Sequence, residues 1–272
     1  MRQTGQNRRE NSGAAPDYEA FLRRLADIAA DATLPHFRTP IGVDNKSGER
    51  FDPVTAADVG AERAIRAAIA AAYPDHGIIG EELGNSHDDA DFVWVIDPID
   101  GTRSFIAGVP LWGVLIGLVE RGVPRLGVMA QPFTGERFFG DGSAANYEGP
   151  GGARKLATRQ CARLAEATLF TTSPDLFSPA EQSAYQRVEQ KARLARYGLD
   201  CYAYCMIAAG FVDAVVEAGL KPFDILPLIP IIEGAGGRVT DWQGNPPPAT
   251  GQVLATGDAR LHDEILELLA RQ

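Results

Sequence analysis

The sequence predicts a layered α/β fold, and three observations carry that prediction. Apolar residues recur at helical spacing over residues 18–37 and again over residues 56–73. A continuous β-prone run, Phe92-Val93-Trp94-Val95-Ile96, reads as a buried strand that ends at Asp97, because Pro98 cannot donate to a ladder. Short β-prone runs then alternate with helical patterns as far as the C-terminus. The 272 residues, 45% of them hydrophobic, suffice for one large domain or two packed halves with a sizeable core.

Residues 1–15 are polar, with Gly, Ser and Asn, and are expected to be a mobile N-terminal segment. Residues 16–150 are expected to form an N-terminal α+β half and residues 151–272 a C-terminal α/β half. In the first helix Phe21, Leu22, Leu25, Ile28, Ala29 and Ala32 form the apolar stripe, and Pro35 closes it. Asn45-Lys46-Ser47-Gly48 reads as a turn and residues 51–55 as a short extended segment. The second helix starts at Thr55 or Ala56, carries Val59, Ala61, Ile65, Ile69 and Tyr73, and stops at Pro74. Ile78-Ile79 is a short strand, and residues 87–91 form a polar loop. Beyond the central strand, residues 103–108 are a short helix or turn. Strands are predicted at 111–119 and 125–130, joined by a hairpin-like loop at 120–124, and at 136–140. Residues 146–152 read as turns near the boundary of the halves. A strand at 167–171, a helix at 179–191, a small buried helix at 201–211 and a strand at 213–217, ending on Glu217, follow. A helix headed by Asp224 is predicted to run to about 235, stopped by Gly236-Gly237, with Pro227 in its first turn and Pro230 bending it. The chain closes with a strand at 253–256 and a helix capped by Asp258.

The net charge of −10 argues against nucleic acid as a partner. The chain contains no apolar run of membrane-spanning length, and its N-terminal arginines are followed by no apolar segment of the kind found in a secretory signal. Three cysteines, Cys161, Cys201 and Cys205, are few and odd in number, which fits free thiols in a reducing cytoplasm. Cys201 and Cys205 have helical spacing and could face one way as a metal pair, but small buried hydrophobes are the expected reading. His87 in its acidic loop could likewise bind metal, but a plain polar loop is the expected reading.

Chemistry concentrates in Asp97-Pro98-Ile99-Asp100-Gly101-Thr102. Asp97 falls at the carboxyl end of a strand, where open α/β sheets bind ligands. Asp100 follows, Gly101 allows a close backbone approach, and Thr102 opens a short helix. Two carboxylates beside backbone N–H groups can hold a hard cation and a phosphate together. Alone, the motif would more simply be a turn with an N-cap. It is accompanied by Asp52-Pro53-Val54-Thr55-Ala56-Ala57-Asp58, by Gly80-Glu81-Glu82 and by Phe223-Asp224-Ile225. Asp58, in a first helical turn, would also suit the helix dipole. Glu81, Asp97, Asp100 and Asp224 are hard oxygen donors, suited to Mg²⁺ rather than zinc.

This set of motifs, in this order and spacing, resembles the inositol-monophosphatase-like superfamily of metal-dependent phosphatases from about residue 17 onward. The resemblance implies a layered αβαβα sandwich of the sugar-phosphatase type, and a Mg²⁺ site of two or three ions at the junction of the halves. It assigns Glu81, Asp97 and the carbonyl of Ile99 to one ion, and Asp97, Asp100 and Asp224 to a second. It gives Asp58, Thr102 and Glu81 catalytic roles in orienting and activating a water that attacks phosphorus in line, and leaves Glu82 undecided. Gly101 and Thr102 would hold the phosphate through backbone N–H groups.

Within the superfamily, Asp-Gly-Thr-Arg-Ser-Phe-Ile, Tyr-Gly-Leu-Asp-Cys-Tyr-Ala-Tyr and Glu-Ala-Gly-Leu-Lys-Pro-Phe-Asp look like the histidinol-phosphate phosphatase branch. That branch implies hydrolysis of L-histidinol phosphate in histidine biosynthesis, in the cytoplasm, by a homodimer. Asp200 and Glu217 are then anionic candidates for the substrate's ammonium and imidazole, and Tyr202 or Tyr204 for stacking on the ring. Otherwise Asp200 is a helix N-cap and Glu217 a surface charge. Arg103 is a candidate for phosphate contact or for a subunit interface. The alternatives are an inositol-1-phosphate or broad sugar or nucleotide phosphatase of the same fold and, in a different class, a metal-dependent binding or regulatory protein without turnover.

Overall fold

A computed structural model describes residues 17–46, 51–246 and 251–271. The expected mobile segment 1–15 and the Ser47-Gly48 part of the predicted turn lie outside the described residues. The first helix, α1 (Tyr18–Thr33), is capped by Asp17, whose carboxylate accepts from the Ala20 N–H. A 3-10 turn over Leu34–His36 finishes it at Pro35. A ribbon of β1 (Val43–Asn45) and β2 (Pro53–Thr55) leads into α2 (Ala56–Ala72), where Thr55 and Asp58 form a capping box.

The large sheet comprises β3 (Gly77–Gly80), β4 (Gly84–Ser86), β5 (Phe92–Asp100), β6 (Gly113–Glu120), β7 (Val123–Gln131), β8 (Glu136–Gly140), β9 (Ala145–Glu148) and β10 (Arg154–Lys155). Its order is β10-β9-β8-β7-β6-β5-β3-β4, antiparallel except where β3 pairs with β5. The regular ladder of β5 ends at Asp97, as Pro98 demands, but the strand rejoins β6 at Asp100 after an irregularity in register. The predicted loop at 120–124 tightens to Arg121-Gly122, both at positive φ, a two-residue turn whose twist matches the strands it joins. Residues 146–148, expected as turn, belong to β9 because they pair with β8. The short α3 (Thr102–Ile106) lies between β5 and β6.

The smaller sheet contains β11 (Thr168–Thr171), β12 (Leu194–Tyr197), β13 (Ala214–Leu220), β14 (Arg238–Thr240) and β15 (Gly251–Thr256), in the order β12-β11-β13-β15-β14. Its helices are α4 (Pro179–Glu189), α5 (Cys201–Ala208), α6 (Pro222–Ile225), α7 (Ile229–Gly234) and α8 (Ala259–Leu269). Strand β13 continues past Glu217 with a shift of register before Leu220, so Glu217 lies inside the strand rather than at its end. The single helix predicted from Asp224 is two. Pro227 falls in the linker, and Pro230 sits in the first turn of α7, where a missing N–H is harmless, so it starts a helix instead of bending one.

The layers alternate. Helices α1 and α2 pack on one face of the large sheet; α5 and α7 lie between the sheets; α4 and α8 cover the far side of the small sheet. This is the expected αβαβα sandwich. Three apolar cores match the three helical layers, and the middle one joins Val95, Leu115 and Met129 of the large sheet to Val215, Val253 and Ala255 of the small one. The seat for α6 and α7 is a row of paired glycines, Gly117, Gly127 and Gly140, across β6, β7 and β8. A side chain at Gly127 or Gly140 would overlap the backbone of Pro227 or of Pro230 and Ile231. Bare backbone there lets the segment carrying Asp224 lie directly on the sheet that carries Asp97 and Asp100.

Candidate active site

Oxygens of Asp97, Asp100 and Asp224 lie within 4.8 Å of one another. Each arrives from a special backbone. Asp97 ends the regular ladder of β5, and its Oδ1 accepts the Ile99 N–H at 3.0 Å. Asp100 follows the irregularity, and its Oδ2 accepts the Cys201 N–H at 2.6 Å. Asp224 sits in the first turn of α6, and its Oδ2 accepts the Lys221 N–H at 2.7 Å. Burial and then the charges of Glu81, Asp100 and Asp224 push Asp97 well above the usual carboxylate range. Burial and then Asp200 and Asp224 do the same to Asp100. Asp224 is pushed up to about 7, chiefly by burial.

Glu81 follows β3 and borders this trio, its carboxylate turned to the Lys46 ammonium at 2.9 Å. Lys46 also meets Glu82 at 2.6 Å, and burial raises Glu82 to about 7. Crowded carboxylates that repel one another, hard oxygen donors throughout, are what a divalent cation relieves. The donor set therefore fits the group that the motifs imply.

Asp58 is fully buried. Its Oδ2 accepts from the Thr55 N–H at 2.9 Å and the Thr55 hydroxyl at 2.5 Å, and its Oδ1 faces the Thr102 hydroxyl at 3.5 Å. Burial raises its pKa against those bonds. The Thr102 hydroxyl also donates to the Ile99 carbonyl at 3.1 Å. Gly101 is left-handed, with φ of 83°, and heads α3.

A cleft of about 960 Å³ opens beside the acids, lined by Asp100, Gly101, Thr102, Arg103, Asp200, Tyr204, Glu217 and Asp224 among others. Asp200 precedes α5 at positive φ, 46°, and its side chain makes no capping bond. The carboxylate is therefore not an N-cap; it lies over Gly101 and takes a long, 3.4 Å bond from Ser104. Burial raises it to about 6. Backbone held so far from common conformations is a frequent mark of a functional position. Glu217 is buried, not a surface charge, and accepts from the Thr172 N–H at 2.8 Å, the Thr172 hydroxyl at 2.6 Å and the Tyr204 hydroxyl at 2.9 Å. Arg103 donates to the Phe51 carbonyl at 2.6 Å. Tyr202 does not reach the cleft: its hydroxyl donates to Glu136 at 2.6 Å and its ring packs on Phe138. The three cysteines are buried and free, and Cys161 lies away from the other two, in the outer core.

Reading by motif missed Lys46, Thr172 and Glu62. A lysine in a turn and a threonine after a strand carry no signal of their own. Glu62 does: it falls on the apolar stripe of α2 with Ala61, Ile65 and Ile69, an odd place for a charge unless something pairs it.

The chain matches the sequence profile described as "Inositol monophosphatase family" over residues 17–272. It belongs to that family. The structure of an inositol monophosphatase from Zymomonas mobilis superposes with a TM-score of 0.84 at 42% identity, over 94% of this chain and all of that one. The bifunctional phosphatase IMPL2 (chloroplastic) of Arabidopsis thaliana is 44% identical over 93% of this chain and 75% of its own length. A histidinol-phosphatase of Chlorobaculum parvum is 36% identical over 89% of this chain and 92% of its own. As a member of this family the chain is a metal-dependent phosphatase acting on small phosphorylated substrates, and no described helix is long and apolar enough to cross a membrane.

Proposed function

We propose that this enzyme hydrolyses L-histidinol phosphate to L-histidinol and phosphate, in the cytoplasm, as a homodimer serving histidine biosynthesis. The observation that carries the reading is Asp200: a carboxylate in strained backbone, with one long hydrogen bond, facing the cleft beside Glu217. Arg103 offsets part of its charge within the fold; a neutral polyol adds no further counter-charge, whereas the ammonium or imidazolium of histidinol does. Among the described residues that line the cleft, Arg103 is the lone base, against Asp52, Asp100, Asp175, Asp200, Glu217 and Asp224.

In this reading Glu81, Asp97, Asp100, Asp224 and the Ile99 carbonyl hold two or three Mg²⁺ ions. Bound there, the ions supply the charge that activates a water and offsets the negative charge of phosphate and leaving group. Thr102 orients the attacking water at its Oγ1 and takes a proton from it while passing its own hydroxyl proton to Asp58 Oδ1, so the hydroxyl is restored and Asp58 ends protonated. The raised proton affinity of Asp58 suits it to receive that proton. Backbone N–H groups of Gly101 and Thr102 hold the phosphate at the start of α3. Asp200 and Glu217 bind the departing alcohol, Tyr204 and Thr172 fixing Glu217 in place, and Arg103 steadies the Phe51 segment at the cleft.

The test is phosphate release by purified protein with Mg²⁺, offered histidinol phosphate and inositol-1-phosphate side by side. Strong preference for the first is expected. A second reading, inositol-1-phosphate, is favoured by the 42% identity to the Zymomonas mobilis protein, and preference for that substrate would replace the first.

A further inference from the structure

Asp58 and Glu62 stand one turn apart on α2, and both are fully buried. Asp58 faces Thr102; Glu62 faces the turn between β3 and β4. Its Oε2 accepts the Glu82 N–H at 2.7 Å, and its Oε1 accepts the Leu83 N–H at 3.2 Å and the Arg66 Nε at 2.7 Å. Arg66 reaches on to the Gly84 carbonyl. Gly80, on the near side of the turn, has no room for a side chain, because a Cβ would overlap the Glu62 carboxylate. One buried carboxylate thus grips the turn directly after Glu81. Ahead of that grip, the Glu81 N–H donates to the carbonyl of Ile96, the neighbour of Asp97, at 3.2 Å.

We propose that Glu62 is a positioning residue for the metal site: it fixes the turn that aims Glu81 at Asp97 and so sets the affinity for divalent cation there. This rests on reading Glu81 as a ligand. The charge and shape of a carboxylate are both needed. Each oxygen accepts a backbone N–H, and an amide, with one oxygen and one NH₂, sets a donor against a donor at one of them. Residues that orient metal ligands typically weaken metal binding about 10- to 100-fold when replaced. If Glu62 served stability alone, replacing it would lower the melting temperature and leave the affinity of the folded protein unchanged.

The experiment is calorimetric titration of Mn²⁺ into the full chain, comparing wild type, Glu62→Gln and Glu81→Gln, with Mg²⁺-dependent kinetics alongside. Glu62→Gln is expected to bind Mn²⁺ about 10- to 100-fold more weakly, with kcat largely recovered at saturating Mg²⁺. Wild-type affinity in Glu62→Gln, with weakened binding in Glu81→Gln, overturns this proposal and spares the site reading. Wild-type affinity in both overturns the site reading and the proposal with it. Should Glu62→Gln fail to fold, Arg66→Met decides, since it frees the same carboxylate from outside the core. A loss of affinity in the same direction is expected there, and none would overturn the proposal.

Discussion

The backbone N–H of Cys201 donates to Oδ2 of Asp100 across 2.6 Å, so a helix of the second sheet's layer holds a carboxylate offered by the first sheet. This bond holds Asp100 beside Asp97 and Asp224, so their burial and mutual repulsion remain a cost of the metal-free fold. Removing one of these charges should move stability and activity in opposite directions. Asp97→Asn is expected to lose about 1,000-fold in Mg²⁺-dependent turnover, roughly 4 kcal/mol of transition-state stabilisation. Its metal-free melting temperature should equal or exceed that of wild type. Phosphate release and thermal melts with a chelator check both; wild-type turnover would sink the site assignment.

Substrate charge is read separately. Asp200→Asn keeps the side chain's size and removes its charge. We expect kcat/KM for histidinol phosphate to fall about 100-fold, about 3 kcal/mol. Turnover of inositol-1-phosphate should hold or rise. Equal losses on both substrates would mean that Asp200 shapes the cleft without recognising a cation.

The glycine row under α6 and α7 predicts a steep cost for one methyl group. Gly127→Ala forces Pro227 off the sheet, and a destabilisation of about 3 kcal/mol is expected from overpacking. Gly60→Ala, in α2 with open space around it, should instead stabilise by about 0.5–1 kcal/mol. Urea unfolding midpoints of the two variants should bracket the wild type.

His262 supplies a pH dependence. It is buried between the hydroxyls of Thr240 and Thr256, at 2.8 and 2.9 Å, with Arg238 and Asp263 nearby, and burial lowers its pKa to about 4. Since the unfolded chain takes up this proton near the ordinary value of about 6.5, the neutral ring's contribution is complete above that pH and is lost as pH falls toward 4. The loss amounts to at most about 3 kcal/mol. Urea melts at pH 7.5, 5.5 and 4.5 should show a shallower fall for His262→Gln than for wild type, and parallel slopes would refute the assignment.

Much of the fold is legible in the chain because its signals are local. Helical periodicity placed α1 and α2, and Pro98 ended the regular ladder of β5 where expected. Strand β8 follows from its own β-prone residues. The losses have physical causes too. Residues 146–148 have turn composition but gain strand geometry by pairing with β8. Strands β12 and β14 are short edge strands that exist through their neighbours. The helix predicted from Asp224 divides because the glycine row offers a seat that fixes Pro227 in a linker.

The sequence by itself determined the layered fold, the family and the acids Asp97, Asp100 and Asp224, because motif order and residue chemistry are written along the chain. Only the tertiary structure decided that Asp200 leaves its helix uncapped, that Glu217 is buried against Tyr204, that Tyr202 turns away to Glu136 and that Glu62 grips the turn after Glu81. The last three depend on groups 13 residues apart in Tyr204–Glu217, 66 in Tyr202–Glu136 and 20 in Glu62–Glu82 being brought within hydrogen-bonding distance. No local preference encodes such pairings; packing of the sheets and helices does.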